Sequence, residues 1–229
     1  MIQISNISIY KELLSSLKKP SCIFISGIDT NVGKTYACAA LANSSIKLSY
    51  NTITQKMIQT GCTDISEDIE KHRELMELPL LKIDRDGTSS PIILPFPSSP
   101  HLAAKLANYK INLESIKDAS NKLLDSYDLV LIEGAGGLMV PIIENNTKLG
   151  GYLTIDYIKD NNYPLILVTS SKLGSLNHTL LSLYACQQKG IEVKAIVYNT
   201  YPKEDELITK SSLEYLNRLN IPILLLNKY

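Results

Sequence analysis

The chain has 229 residues, of which 45% are hydrophobic and 20% charged. That mix can bury a full core and excludes a disordered tail protein, whose sparse apolar content could not offset its ordering entropy. Lys and Arg together number 23 and Asp and Glu 23, so the positive surplus that a sequence-independent nucleic-acid binder needs to displace counterions is missing.

The opening Met1-Ile2-Gln3-Ile4-Ser5-Asn6 lacks the basic n-region and long apolar core of a secretory signal. Residues 1–19 read as an N-terminal extension of a single domain over 1–229, and its amphipathic stretch, 5–18, is expected to pack on the outside. An apolar run at 22–26 predicts a strand, and KTYACAALAN after Gly33 predicts a helix that is apolar nearly all round and therefore buried. Ser66 caps a helix over 67–76. Residues 86–100, rich in Gly, Ser and Pro, read as an irregular loop, and Ser99-Pro100 starts another helix. The segment 112–126 carries Leu113, Ile116, Leu123 and Leu124 on one face of a helix. Further strands are expected at 129–133, 165–169, 195–198 and 221–226, with helices at 175–189, closed by Gly190, and at 204–219. Strand and helix signals in alternation imply right-handed crossovers. The expected fold is therefore three-layer α/β, a mostly parallel sheet with helices on both faces.

No run reaches the length of a membrane-spanning helix. Cys22, Cys38, Cys62 and Cys186 form no paired or metal-binding spacing. A reduced, cytoplasmic protein that engages neither membrane nor nucleic acid is the expectation.

The chemistry begins at Gly27-Ile28-Asp29-Thr30-Asn31-Val32-Gly33-Lys34-Thr35. A glycine-rich turn between a strand and a helix curls successive backbone N–H groups inward, and the helix N-terminus adds partial positive charge, which together cradle phosphates. Lys34 is placed to reach the terminal phosphates of a nucleotide, and the Thr35 hydroxyl to ligate Mg²⁺. Five residues separate Gly27 from Gly33, where the common pattern has four. A metal-holding carboxylate is then needed on a neighbouring strand. Asp128-Leu129-Val130-Leu131-Ile132-Glu133 supplies it, ending an apolar run in Glu133 before the turn Gly134-Ala135-Gly136-Gly137.

At this point the sequence resembles the dethiobiotin synthetase family. The five-spaced loop from Gly27 to Thr35 is similar to the family's Gly-Thr-Asp-Thr-x-Val-Gly-Lys-Thr, with Ile28 in place of the first Thr. Lys56-Met57-Ile58-Gln59-Thr60-Gly61 resembles its Lys-Pro-x-x-Ser/Thr-Gly, with Met57 in place of Pro. Glu133-Gly134-Ala135-Gly136-Gly137 and Lys172-Leu173-Gly174-Ser175-Leu176-Asn177-His178 follow in the family's order, so the likeness covers residues 21 to 200. It implies a P-loop NTPase-type fold and an ATP-dependent ligase of biotin biosynthesis. Such an enzyme joins CO₂ or bicarbonate to the two amines of 7,8-diaminononanoate and releases ADP and phosphate.

The resemblance also implies roles. Lys34 and Lys56 are the catalytic cations. Asp29, Thr30, Asn31, Val32, Gly33, Lys34 and Thr35 hold ATP, and Asn199 reads adenine. Thr30, Lys56, Thr60, Gly136, Gly137 and Leu138 bind the substrate, and Asn177 reaches its distal carboxylate from a second subunit of a homodimer with interfacial sites. Thr35, Asp68 and Glu133 hold Mg²⁺, although Asp64, Glu67 and Glu70 lie close enough to Asp68 to serve instead. His72, His101 and His178 share no metal-ligand spacing and read as packing or surface residues, with His178 supporting the site through Asn177. Many family members continue past the last strand into a segment that contacts adenine. This sequence stops at Tyr229, so loose nucleotide selectivity is expected. The alternative is a nucleotide-switch ATPase of the partition or cell-division-site type. Those usually carry an extra lysine early in the loop, where Ile28-Asp29-Thr30 has none.

Overall fold

The computed structural model describes residues 2–145 and 150–228, with the side chains of residues 2 and 228 left aside. Met1 and Tyr229, the two ends of the expected domain, lie outside the described residues. In chain order the elements begin with β1 (Ile2–Ile4), α1 (Ile7–Ser15), β2 (Ser21–Gly27), α2 (Lys34–Lys47), β3 (Thr52–Lys56), β4 (Gln59–Thr60) and α3 (Glu67–Leu75). Then come α4 (Lys82–Arg85), β5 (Ile93–Leu94), α5 (Pro100–Leu106), α6 (Leu113–Leu124), β6 (Leu129–Gly137), β7 (Pro141–Glu144) and β8 (Gly151–Leu153). The chain finishes with α7 (Thr154–Asp160), β9 (Leu165–Ser170), α8 (Ser175–Lys189), β10 (Val193–Asn199), α9 (Glu206–Leu216) and β11 (Ile223–Lys228).

Seven strands form one sheet in the order β1-β11-β10-β9-β2-β6-β3. All neighbours run parallel except β1, which pairs antiparallel with β11. Alternation along β2 shows why helices cover both faces. Cys22 and Phe24 join one cluster, with Ile116 and Leu123 of α6 and Ile155 and Ile158 of α7. Ile23 and Ile25 join the other, with Ala37, Cys38 and Leu41 of α2. The mostly parallel three-layer architecture is the one expected.

The N-terminal segment differs from expectation. Residues 2–4 extend the main sheet, and α1 buries Tyr10, Leu13 and Leu14 against the α2 side of it. The spacing of those three residues makes one apolar stripe, and the Tyr10 hydroxyl meets Ser45 Oγ on α2 at 2.8 Å. The segment therefore completes a core face and does not decorate the outside. A second difference is α7, which lacks a conspicuous sequence period yet buries Ile155, Tyr157 and Ile158 beneath β2 and β6.

Candidate active site

The parallel strands β2, β3 and β6 end side by side, and each delivers a functional group at its carboxyl end, where open α/β sheets bind ligands. From β2 comes the loop before α2. Its Gly33 has φ +94°, and Asn31 has φ +59°, so the backbone turns through the left-handed region twice before the helix begins. A Cβ on Gly27 would lie 2.7 Å from Val32 Cγ2 and 2.8 Å from the Asp29 carbonyl oxygen, so only glycine lets the loop curl this tightly.

Register places the next two groups. Lys56 of β3 stands opposite Glu133 of β6, so the two side chains leave the sheet on the same side. The Lys56 ammonium donates to Glu133 Oε1 at 2.9 Å and to the Gly134 carbonyl at 3.1 Å, and pairs with Asp68 Oδ2 at 2.6 Å. The Thr35 hydroxyl, at the start of α2, donates toward Asp68 Oδ1 at 3.0 Å and Glu133 Oε1 at 3.1 Å. Asp68 arrives on the first turn of α3. That turn is fixed by the Ser66 cap on the Ile69 amide and by Gln59 Oε1, which accepts from Ser66 Oγ at 2.7 Å. Glu133 Oε2, turned away from Thr35, meets His72 Nε2 at 2.8 Å.

Burial and charge oppose each other here. Burial by itself would raise the Glu133 carboxyl, but the Lys56 ammonium and the His72 hydrogen bond prevail and hold it well below the usual carboxylate range. Burial works against the Lys56 charge in the same way and is overcome by Glu133 and Asp68, which push its pKa up. At Lys34 the balance goes the other way, although Glu133, Asp68 and Asp29 favour its charge. Desolvation first, and the neighbouring Lys56 charge second, bring it down to about 8. Its ammonium donates to the Asp29 carbonyl at 2.9 Å, across its own loop.

These groups line a cavity of about 720 Å³, which brings together Thr30, Asn31, Gly33, Lys34, Thr35, Lys56, Thr60, Asp68, Glu133 and Gly136 of the residues expected from sequence. Others stand elsewhere. Val32 is buried in the α2-side core, and Asn199 holds the loop from behind, its Nδ2 donating to the Val32 carbonyl at 3.0 Å while its Oδ1 accepts from the Tyr201 amide. Asp29, Gly137 and Leu138 line a neighbouring cavity of about 410 Å³ that shares Thr30 and Val140 with the first. Asn177 is exposed on α8 and lines neither cavity, although His178 beside it lines the smaller one. Of the acidic residues near Asp68, it is Asp68 that meets Thr35 and Lys56.

Three features escaped the sequence reading. His72 is a fully buried partner of Glu133; its position one helical turn after Asp68 was the available signal. Gln59 anchors α3, and Pro97 to Pro100 wall the cavity at the end of what read as a loop. Gln59 falls inside the motif that follows Lys56, and Ser99-Pro100 marks a helix start, but their roles at the site come from tertiary placement, which neither signal carries.

The donor set of Thr35, Asp68 and Glu133 is all oxygen, with the Thr35 hydroxyl within hydrogen-bond reach of both carboxylates, which suits a hard divalent cation such as Mg²⁺. Backbone amides and lysines beside it suit the phosphates of a nucleotide.

Comparison with known proteins agrees with this chemistry. A family model described as an AAA domain matches residues 21–225. The ATP-dependent dethiobiotin synthetase BioD 2 of Haemophilus ducreyi is 52% identical over 196 residues, covering 86% of this chain and 90% of that protein. The BioD protein of Chlorobaculum tepidum, also named an ATP-dependent dethiobiotin synthetase, is 46% identical over 86% of this chain and 80% of its own. Among solved structures, a plasmid partition protein from Borrelia burgdorferi superposes with a TM-score of 0.51 at 13% identity, covering 91% of this chain and 89% of that one. At that identity the likeness is one of fold alone.

Proposed function

The chain belongs to the dethiobiotin synthetase family, and from that premise we propose how its side chains divide the work. It is an ATP-dependent dethiobiotin synthetase, a cyclo-ligase of biotin biosynthesis. The partition-type ATPases share its fold and no more.

In our reading the carbon enters as CO₂ or bicarbonate. One amine of 7,8-diaminononanoate takes it up as a carbamate, whose charge Lys56 and Lys34 neutralise, with Thr60 donating a hydrogen bond. A carbamate oxygen attacks the γ-phosphorus of ATP, forming the O–P bond as the bond to ADP breaks. The second amine then attacks the carbamate carbon, phosphate leaves, and the five-membered ring closes. Because both amines belong to one bound molecule, holding them in place supplies much of the rate. Thr35, Asp68 and Glu133 would hold Mg²⁺, which when bound neutralises charge on the transferring phosphoryl group. The loop amides from Asp29 to Gly33 cradle the phosphates. The Asn199 side chain has spent two of its four hydrogen-bonding positions on the backbone, and one N–H and one lone pair remain for adenine.

The smaller cavity beside Thr30, bordered by Gly137 and Leu138, takes the aliphatic part of the substrate. A second copy of the chain closes it. Leu173, Leu181 and Tyr184 are each at least 60% exposed around Asn177 and His178, the kind of apolar face that a partner subunit covers. A reduced cytoplasmic location fits this activity.

The observation that carries the reading is the convergence of Lys34, Thr35, Lys56, Asp68 and Glu133 on one cavity at the phosphate loop. Its test is phosphate release from MgATP and bicarbonate with and without 7,8-diaminononanoate. One phosphate per ring closed, and none without the diamine, is the expected result; release indifferent to the diamine refutes it.

A further inference from the structure

We propose that His72 is a positioning residue for the metal-holding carboxylates, acting from behind Glu133 and never touching substrate or nucleotide. The inference rests on the assignment of Thr35, Asp68 and Glu133 to the cation.

The two oxygens of Glu133 face opposite ways. Oε1 accepts from Thr35 and Lys56, and Oε2 from His72 alone among the contacts of the described residues. A glutamate has three side-chain torsions, and pinning Oε2 fixes the last of them, so that Oε1 stays directed at Thr35. His72 is fully buried and does not line the cavity, which leaves Glu133 as the route by which it can act.

The geometry also fixes which nitrogen donates. An ionised carboxylate only accepts, so Nε2 carries the proton that it donates. Nδ1 is buried with no partner among the described residues. Cys38 Sγ also lies within 4.8 Å of the imidazole and the carboxylate. Burial keeps that thiol protonated, and it is directed at the Leu131 carbonyl at 3.8 Å, so it packs as a neutral neighbour.

His72 follows Asp68 by one helical turn, so α3 presents both on one side: Asp68 to Thr35, His72 to Glu133. The contact runs directly from the helix that carries one carboxylate to the strand that carries the other, beside the bridges that Lys56 and Thr35 make between the two carboxylates. The helix itself is held independently. Arg73 makes a bidentate pair with Asp84, at 2.9 and 2.7 Å, and donates to Thr54 of β3, while Gln59 and Ser66 fix the N-terminal turn. Loss of the imidazole therefore releases Oε2 of Glu133, and with it the orientation of the carboxylate plane, without releasing α3.

Hydrogen-bond partners of metal-ligating groups typically contribute about 10–100-fold in metal affinity. The test is the affinity for Mn²⁺ in the presence of a non-hydrolysable ATP analogue, read from the electron paramagnetic resonance of free Mn²⁺, for wild type, His72→Leu, His72→Gln and Glu133→Gln. His72→Leu is expected to bind Mn²⁺ at least about tenfold more weakly, and His72→Gln, whose amide nitrogen can occupy the Nε2 position, within about threefold of wild type. His72→Leu at wild-type affinity, with Glu133→Gln weakened, overturns the inference and leaves the metal assignment intact. His72→Gln as weak as His72→Leu also overturns it, because the donor would then be irrelevant. Glu133→Gln at wild-type affinity overturns the metal assignment itself, and the inference with it. Should His72→Leu fail to fold, His72→Asn takes its place: one bond shorter, it must weaken Mn²⁺ binding where His72→Gln does not, and equal affinities for the two refute the proposal.

Discussion

Replacing Lys56 by Met keeps an unbranched apolar stem of the same length, with sulfur in place of one methylene, and removes the ammonium. In the folded protein that ammonium is the cation shared by Glu133 and Asp68, with the Lys56 side chain 6% exposed, Glu133 1% and Asp68 27%. Breaking a buried ion pair by deleting one partner costs about 3–5 kcal/mol, because the other charge is left in a low dielectric. Two features move this case to the lower end. Asp68 reaches water, and Glu133 keeps hydrogen bonds from His72 and Thr35. The expected loss is about 3 kcal/mol near neutral pH, or about 6–12 °C in melting temperature for a chain of this size. The pH dependence identifies the cause. In the native protein Glu133 is depressed below its unfolded pKa, so its contribution is present above about pH 4.5 and lost as pH falls through the folded value. Without Lys56 the burial contribution prevails, the folded pKa rises above the unfolded one, and protonation stabilises the variant as pH falls through that raised value. The difference between wild type and variant must therefore shrink from about pH 7.5 toward about pH 5. Urea unfolding of both proteins without nucleotide or metal measures it. A loss below about 1 kcal/mol, or one that does not change over that pH range, refutes the view that Lys56 neutralises a buried Glu133.

The other predictions concern the phosphate loop. Gly33→Ala forces a side chain into φ +94° and places its Cβ against the Asn199 amide nitrogen that holds the Val32 carbonyl. The left-handed conformation alone costs about 1–2 kcal/mol, so ATP affinity measured by calorimetry is expected to drop by about tenfold or more; affinity within about twofold of wild type would contradict it. Lys34 sits at about 8 in the free protein. Phosphates favour its charged form and raise that value on binding, so above about pH 8 the affinity for ATP should fall by up to about tenfold per pH unit, with uptake of nearly one proton. Titrations in two buffers of different ionisation enthalpy at about pH 9 report that uptake, and its absence would show that Lys34 is not the group that meets the phosphates.

Local chemistry explains what could be read along the chain. The loop from Gly27 to Thr35 is contiguous, and its glycines, lysine and hydroxyl act within one turn of backbone, so it was legible without a fold. The helix over Ser175–Lys189 agrees with expectation at both ends, because Gly190 terminates it at φ +61°. Apolar runs marked the central parallel strands, since strands buried on both faces have no polar alternation to hide them. The contacts that assemble the site are of another kind. Lys56 and Glu133 lie 77 residues apart and meet because β3 and β6 pair in one register; a slip of a single residue would point them to opposite faces. His72 and Glu133 lie 61 residues apart; the spacing of His72 from Asp68 puts it on the same side of α3, but only the packing of α3 against β6 sets it behind that carboxylate. The N-terminal segment has the stripe of an amphipathic helix, but only the unpaired edge of β11 decides that residues 2–4 join the sheet and that α1 folds down onto α2. The sequence by itself determined the nucleotide loop, the layer order and the kind of chemistry. Tertiary structure decided which side chains share a charge, because register, burial and helix placement are properties of the packed sheet and not of any one segment.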